Sequence, residues 1–267
     1  MIGIASPYIA ILKARLSILF QYKAAAIAGV VTQIFWGILK IMILEAFYAQ
    51  AKDVPPITLE TAIAFVLISQ SLLPLIPWSL DKEIEAQVRS GQVAIEMIRP
   101  IDIYWYWYTR AVAMRIIPTI LRSLPFFLVI GVFFTLPMPF SIFSLIAFAL
   151  SCVNALLLSS AITTLIIISL FWTIAGDGIE RLMPHIALVL TGIAIPLPLF
   201  PDWMQLFIEF QPFRYIIDVP VRIYLGAIAG EKILIYLVLQ LIWTAVLIAF
   251  GRLLINLAMK RFVIHGG

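Results

Sequence analysis

The sequence predicts an all-α, polytopic membrane protein with about six transmembrane helices. Of its 267 residues, 63% are hydrophobic and 12% are charged, whereas a soluble domain is nearer half apolar and a quarter charged. A water-soluble fold of this size cannot bury so many apolar side chains, but a bilayer can surround them. Several continuous apolar runs of about 20 residues match the thickness of a bilayer. They also exclude a β-barrel, whose strands alternate polar and apolar residues.

The six spans are predicted from apolar runs that follow one another along the chain. They cover residues 24–48, 57–80, 111–136, 141–172, 181–199 and 233–257. No internal repeat divides them, so residues 1–267 are predicted to form a single transmembrane domain.

The N-terminal residues 1–22 precede the first span and mix Lys13 and Arg15 with Leu12 and Leu16. This pattern is typical of an amphipathic helix lying on the membrane surface. A cleavable signal peptide is the alternative, but its basic residues would precede the apolar stretch rather than follow it.

Basic residues in the loops and near the ends of the predicted spans are distributed unevenly. The side that holds both termini carries twelve of them: Lys13, Arg15, Lys23, Lys82, Arg89, Arg99, Arg110, Arg115, Arg181, Arg252, Lys260 and Arg261. The other side carries four: Lys52, Arg214, Arg222 and Lys232. The positive-inside rule therefore predicts that both termini are cytoplasmic. Lys40 and Arg122 fall inside spans, and for Lys40 snorkelling or helix packing is favoured over a functional role.

The loop of residues 81–110 is the longest on the cytoplasmic side. Ile84, Val88, Gly91, Ile95 and Ile98 recur at helical spacing and form one apolar stripe between charged faces. Gly91 is predicted to end the first helix in the left-handed conformation, and a second helix over 92–98 ends before a proline. An apolar stripe with charged flanks favours a helix that inserts into a groove on a soluble partner. A connector with solvated charges is the alternative.

The outer segment of residues 196–232 is rich in proline and aromatic residues. Asp202 is predicted to be the N-cap of a short helix, with Phe207, Phe210 and Phe213 on one apolar face. Non-helical backbone at this depth requires contact with protein or with a wet cavity. A closing lid and an outer gate are both consistent with this pattern. The candidate residues of this segment are Pro196, Pro198, Pro201, Trp203, Pro212, Phe213, Pro220 and Gly226.

The sequence lacks the residues that most membrane enzymes and carriers need. A single cysteine, Cys152, excludes an internal disulfide, and two histidines form no Cys/His cluster for zinc. No acidic residue lies at the mid-membrane depth that ion-driven carriers use. The phosphate-binding motif G-x-x-x-x-G-K-[ST] is absent. We therefore expect no enzyme activity and no cofactor in this chain, so ATP-driven transport would need a second polypeptide.

Four stretches of the sequence resemble one family. They are "SGQVAIEMIRPID" (90–102), "FWTIAGDGIERL" (171–182), "TGIAIPLPLFPDW" (191–203) and "QPFRYIIDVPVRIYLG" (211–226). Together they resemble the ABC-2 type export permeases, most closely the small six-span permeases encoded apart from their ATPase. The resemblance implies an elbow helix at 1–22, a coupling helix at 92–100 and a re-entrant cap at 196–226. The residues it implies for ATPase coupling are Arg89, Gly91, Val93, Ile95, Glu96, Ile98, Arg99 and Pro100.

The same resemblance implies a multi-pass protein of the bacterial inner membrane that works as part of a larger complex. Its expected partners are a separate ATPase subunit that binds ATP and Mg²⁺, a second permease (a homologue or another copy) and membrane lipid, but not nucleic acid. The first, second and fifth spans would line the path of the cargo.

The expected function is ATP-driven export of an apolar or amphipathic cargo such as a drug-like molecule, a lipid or a glycolipid. One alternative is a non-transporting scaffold or immunity component on the same fold. Another is a binding-protein-dependent importer, since Glu85, Ala86 and Gly91 match the spacing of its loop. Gln87, however, replaces the second alanine of that motif.

Overall fold

The computed structural model describes residues 6–51, 54–78, 80–93, 96, 100–134, 141–172 and 177–265. Its helices are α1 (Ser6–Leu19), α2 (Lys23–Gln50), α3 (Leu59–Ser71), α4 (Lys82–Arg89), α5 (Ile103–Phe133), α6 (Ile142–Ser169), α7 (Asp177–Leu190), α8 (Asp202–Phe210), α9 (Asp218–Tyr224) and α10 (Glu231–His265). These residues contain no β-strand, which confirms the predicted all-α fold.

Within the described ranges, four helices are long and apolar enough to cross a bilayer: α2, α5, α6 and α10. The shorter apolar helix α3 falls within the predicted second span, and the apolar part of α7, Arg181–Leu190, falls within the fifth. This arrangement confirms a polytopic membrane protein.

Side chains at the starts of several helices satisfy backbone N–H groups that have no partner within the helix. The Thr58 hydroxyl accepts from Thr61 N at 3.2 Å, and the Ser141 hydroxyl accepts from Ser144 N at 3.1 Å. Asp102 Oδ1 accepts from Trp105 N at 3.1 Å at the start of α5. These caps explain why the apolar helices begin where they do.

Two spans are less regular than predicted. The second was predicted over 57–80, but α3 ends at Ser71 and continues as a 3₁₀ turn over Leu73–Leu75. Pro74 lies in that turn and lacks the N–H that a continuing α-helix would need. The fifth was predicted over 181–199, but α7 ends at Leu190 and irregular backbone follows.

The third span begins earlier than predicted. Since α5 starts at Ile103, Arg110 and Arg115 lie on this helix and not in the preceding loop, where the sequence analysis placed them. Pro118 interrupts the hydrogen-bond ladder of α5, and residues Thr119–Ser123 form a wider π-helical turn. Both arginines are buried, at 2% and 4% exposed.

The helices define two ends of the molecule. The loop end carries α1, α4, the first turns of α5 and the last turns of α10. The cap end carries residues 191–230 and the starts of α6 and α10. Between them the core surrounds α6, whose Leu158 and Ile168 are fully buried. Val219 of α9 and Trp107 of α5 belong to the same core cluster.

Candidate functional site

At the loop end, a network of charged side chains fixes α4 to α5. Asp81 is the N-cap of α4, and its Oδ1 accepts from Glu83 N at 3.1 Å. Arg110 Nε donates to Asp81 Oδ2 at 2.7 Å, and Arg110 Nη2 donates to Glu83 Oε2 at 2.7 Å. Arg110 Nη1 also donates to the Tyr106 hydroxyl at 2.8 Å. One buried guanidinium thus holds the first turn of α4 against the side of α5.

Helix α1 joins this network from the other side. Arg15 forms an ion pair with Glu83 and lies 3.9 Å from Asp81. The Tyr8 hydroxyl accepts from Asp102 N at 3.1 Å, where α5 begins. Sequence analysis predicted that residues 1–22 contain a surface helix. The structure shows a helix there, α1, bound to the 81–110 loop and the start of α5 by ionic and hydrogen-bond contacts, while its position at the membrane surface stays a prediction.

The last turns of α10 reach the same region. Arg252 Nη2 donates to Asp102 Oδ2 at 3.1 Å, and its guanidinium lies 5.9 Å from the centre of the Trp105 ring. Helices from the beginning, the middle and the second half of the chain therefore meet around the 81–110 loop.

The acidic residues of α4 differ in their electrostatic surroundings. Burial raises the pKa of the Asp81 carboxyl, and the positive charge of Arg15 opposes that shift. At Glu85, burial also acts to raise the pKa, but hydrogen bonds and charge from Lys82 and Arg89 outweigh it and lower the pKa. Lys82 Nζ lies 3.1 Å from Glu85 Oε2, and Arg89 Nε donates to Glu85 Oε1 at 2.9 Å.

The described apolar residues of the 81–110 loop face inward. Ile84 is fully buried, and Val88 and Val93 are 7% and 1% exposed, all within the main core cluster. Gly91 has φ = +75°, so it ends α4 in the left-handed conformation as predicted. Because Ile84 and Val88 pack into the protein's own core, α4 presents its polar side outward.

Of the other residues predicted for coupling, Arg89 and Pro100 are exposed and Glu96 is buried. Val93 and Glu96 are helical, in line with a second short helix. Ile95, Ile98 and Arg99 lie outside the described residues.

At the cap end, proline residues divide the chain into short turns and helices. Pro196 precedes a 3₁₀ turn that contains Pro198, and Pro201 is the N-cap of α8. Asp202 is therefore the first residue of α8, one position after the N-cap, and not the N-cap that the sequence analysis assigned. Pro212 opens a second 3₁₀ turn.

The remaining predicted cap residues fall on different surfaces. Pro220 is buried within α9, and Gly226 follows that helix with φ = +74°. Phe213 is half-buried, whereas Trp203 is 80% exposed. Helix α8 exposes one apolar face, formed by Trp203, Leu206, Phe207 and Phe210.

Polar side chains satisfy the irregular backbone of the cap. Gln211 Nε2 donates to Leu190 O at 2.9 Å, at the end of α7, while Gln211 Oε1 accepts from Phe213 N at 2.6 Å. Lys40 Nζ donates to Ile193 O at 2.6 Å, just beyond the same helix end. A cation there also interacts favourably with the helix dipole. The packing role predicted for Lys40 is confirmed.

A glutamine within α10 holds the cap deep in the bundle. Gln240 lies nine residues after Glu231, about 13 Å along the helix axis. Its Nε2 donates to Tyr215 O at 2.8 Å and to Ser151 O at 3.2 Å, and it also bonds with the Ser151 hydroxyl. Residues 215–224 are therefore buried between α3, α6 and α10, which is the arrangement of a re-entrant segment.

Sequence reasoning missed Gln240 and Ser151 because their partners are far apart in the chain. A signal was present, since Gln240 is an amide near the middle of a long apolar run. Polar residues inside a span mark interhelical contacts or functional sites. The ion pair between Arg110 and the buried Asp81 was missed for another reason. The third span was predicted to begin at residue 111, eight residues after α5 begins, so Arg110 was assigned to a loop.

Comparison with known proteins identifies a family. The model of the family described as "ABC-2 family transporter protein" matches residues 34–266, from within α2 to the C-terminal end of the chain. No match to the chain is found among curated proteins or among solved structures.

Replacing Arg110 by methionine should destabilise the protein strongly, because Asp81 would stay buried without its main counter-ion. Breaking one side of a buried ion pair costs about 3–5 kcal/mol. Thermal unfolding of the purified protein in detergent measures the loss. Lys82→Met is the matched control: Lys82 is 76% exposed and pairs with Glu85, so its loss should cost less than about 1 kcal/mol. Equal shifts for both variants would contradict the structural role of Arg110.

Replacing Gln240 by leucine should loosen the cap without unfolding the bundle, because Tyr215 O would lose its donor. An unsatisfied buried polar group costs about 1–3 kcal/mol. Hydrogen–deuterium exchange of peptides from residues 212–226 should therefore accelerate on the order of tenfold. Peptides from α2 should not change and serve as the internal control. Unchanged exchange in the cap would show that Gln240 does not hold it.

Proposed function

This chain belongs to the ABC-2 family of transporter proteins, and we propose that it is the permease subunit of an ATP-driven exporter. The family match over residues 34–266 carries this proposal. A multi-pass membrane protein of this family is a membrane component of an ABC transporter. The outward direction of transport and the partner subunits are further parts of this proposal.

The ATPase subunit binds at the loop end, which faces the cytoplasm. The apolar stripe of α4 is covered by the protein itself, so the partner meets the polar side of this loop. Exposed residues on that side include Ala86, Arg89, Gln92 and Pro100. Gly91, with φ = +75°, turns the chain between Arg89 and Gln92.

The contacts of Arg110 and Arg15 make the loop suitable for transmitting movement. A displacement of α4 pulls on α5 through Arg110 and on α1 through Arg15. Helix α5 then runs for 31 residues from the loop end towards the cap end. Closure of the ATPase dimer on ATP would thus reach the far side of the membrane along α5, through its π-helical turn at Thr119–Ser123.

ATP and Mg²⁺ bind on the ATPase subunit in this scheme. In the part of the chain that the structure describes, no cluster of His, Cys, Asp or Glu residues could hold a metal ion. A second permease, either a homologue or another copy, completes the path. The cap over residues 196–226 serves as its outer gate. The cargo is an apolar or amphipathic molecule.

A crosslinking experiment tests where the ATPase subunit binds. The native Cys152 is first replaced by serine, and a photoreactive thiol label is then placed by Gln92→Cys at the loop end. With a candidate ATPase subunit co-expressed, illumination should yield a permease–ATPase adduct. The matched control, Trp203→Cys at the cap end, should yield none. An adduct from both positions, or from neither, would refute the assigned docking surface.

Inside-out membrane vesicles test the direction of transport. With the ATPase present, ATP should drive uptake of a fluorescent amphiphile, and a proton or sodium gradient alone should not. Uptake that needs only the ion gradient would overturn the proposal. Crosslinking without ATP-dependent uptake of any amphiphile favours a scaffold, and ATP-dependent release favours an importer.

A further inference from the structure

A cavity of about 290 Å³ lies beside α5. Its lining combines two arginines with apolar residues: Leu73, Pro74, Ile76, Trp78, Met114, Arg115, Pro118 and Arg122. Arg115 lies five residues beyond Arg110 and Arg122 lies twelve beyond it, which places them about 8 and 18 Å further along the helix axis. The cavity therefore lies partway along this membrane-crossing helix, between the loop end and the cap end.

Among the described residues, Arg115 has hydrogen-bond acceptors but no acidic partner. Its Nε donates to the Ser159 hydroxyl at 2.8 Å, its Nη1 donates to Ala111 O at 2.9 Å, and its Nη2 donates to the Thr163 hydroxyl. All three acceptors are neutral. Helices α5 and α6, which supply them, contain no aspartate or glutamate.

Arg122 also has no counter-ion among the described residues, and its Nε–H is buried without a hydrogen-bond partner. The helix is built to bring this side chain to the cavity. Arg122 lies in the π-helical turn that follows Pro118, and such turns are frequent at functional sites. The arginine packs directly on Gly29 of α2, where an added Cβ would lie 2.7 Å from Arg122 Nε. A larger residue at position 29 would displace it.

Two uncompensated guanidinium groups within a membrane are costly, and they repel each other across a shared cavity. Such a cost is offset when an anion binds between them. Arginine suits this role because its planar N–H groups match the oxygens of phosphate and carboxylate.

We propose that this cavity binds the phosphate or carboxylate group of an anionic amphiphile, with Arg115 and Arg122 as its ligands. The volume is at the lower limit of small-molecule pockets, so it accommodates a headgroup rather than a complete lipid. The acyl part extends along the apolar lining formed by Ile76, Met114 and Pro118. If the proposed function holds, the anionic amphiphile bound here is either the cargo or a regulatory lipid.

Native mass spectrometry of the full-length protein in an uncharged maltoside detergent tests this site, without any ATPase subunit. The probes are phosphatidic acid, phosphatidylcholine with the same acyl chains, and inorganic phosphate. The wild-type protein should retain phosphatidic acid at least about tenfold more tightly than phosphatidylcholine. One lost charge-assisted contact of about 1.4 kcal/mol corresponds to a tenfold change in affinity. Arg122→Gln should therefore remove most of the preference.

Lys232→Gln is the matched control, since it removes one exposed positive charge at the start of α10, and it should leave the preference intact. Arg115→Gln should likewise lower the preference for phosphatidic acid. If that variant fails to fold, Arg115→Lys, which keeps the charge, tests the site, and its preference should exceed that of Arg122→Gln.

Equal retention of both lipids by the wild type, or an unchanged preference in Arg122→Gln, would overturn the site. If inorganic phosphate displaces phosphatidic acid at equal concentration, the amphiphile assignment is wrong. Because the measurement needs neither ATP nor a partner, its failure leaves the proposed export function standing, and a failed crosslink leaves this site standing.

Discussion

The structure depends on one constraint: backbone N–H and C=O groups away from water must find partners within the protein. Regular helices meet this constraint by themselves, but residues 191–217 do not form long helices. Side chains from elsewhere supply the missing partners. Gln240 binds Tyr215 O, Gln211 binds Leu190 O and Lys40 binds Ile193 O. The cap can therefore enter the bundle only because amides and an amine are placed opposite its carbonyl groups.

The loop end obeys the same constraint with charges instead of amides. Arg110 is buried, yet its guanidinium is matched by Asp81, Glu83 and Tyr106. Arg115, one and a half turns further along α5, has only neutral acceptors. The contrast between these neighbours separates a structural arginine from one that has capacity for a ligand. Along α5, the positive charge is therefore balanced at Arg110 but not at Arg115, which lines the cavity.

Much of the fold could be predicted because apolar runs and bilayer thickness determine the spans. The left-handed Gly91 followed from the helix pattern before it. The early start of α5 could not be predicted, because "YWYWY" is equally suited to a membrane interface and to a helix core. The inward direction of Ile84 and Val88 was also hidden, since periodicity shows that a stripe exists but not what covers it. Contacts such as Ser151 with Gln240 join residues 89 positions apart, and no local pattern encodes them.

The wide turn of α5 has a consequence for how this helix tolerates changes in its length. Thr119–Ser123 contains one residue more than an α-helical turn requires. Deleting one residue there would restore a regular helix and keep Phe126 and Ile130 pointing into the core, where both are now buried. Deleting a residue at an earlier position in α5 would instead rotate Phe126 and Ile130 by about 100° towards lipid. The molecule thus has one position at which this span can shorten and keep its packing, but only by giving up the placement of Arg122.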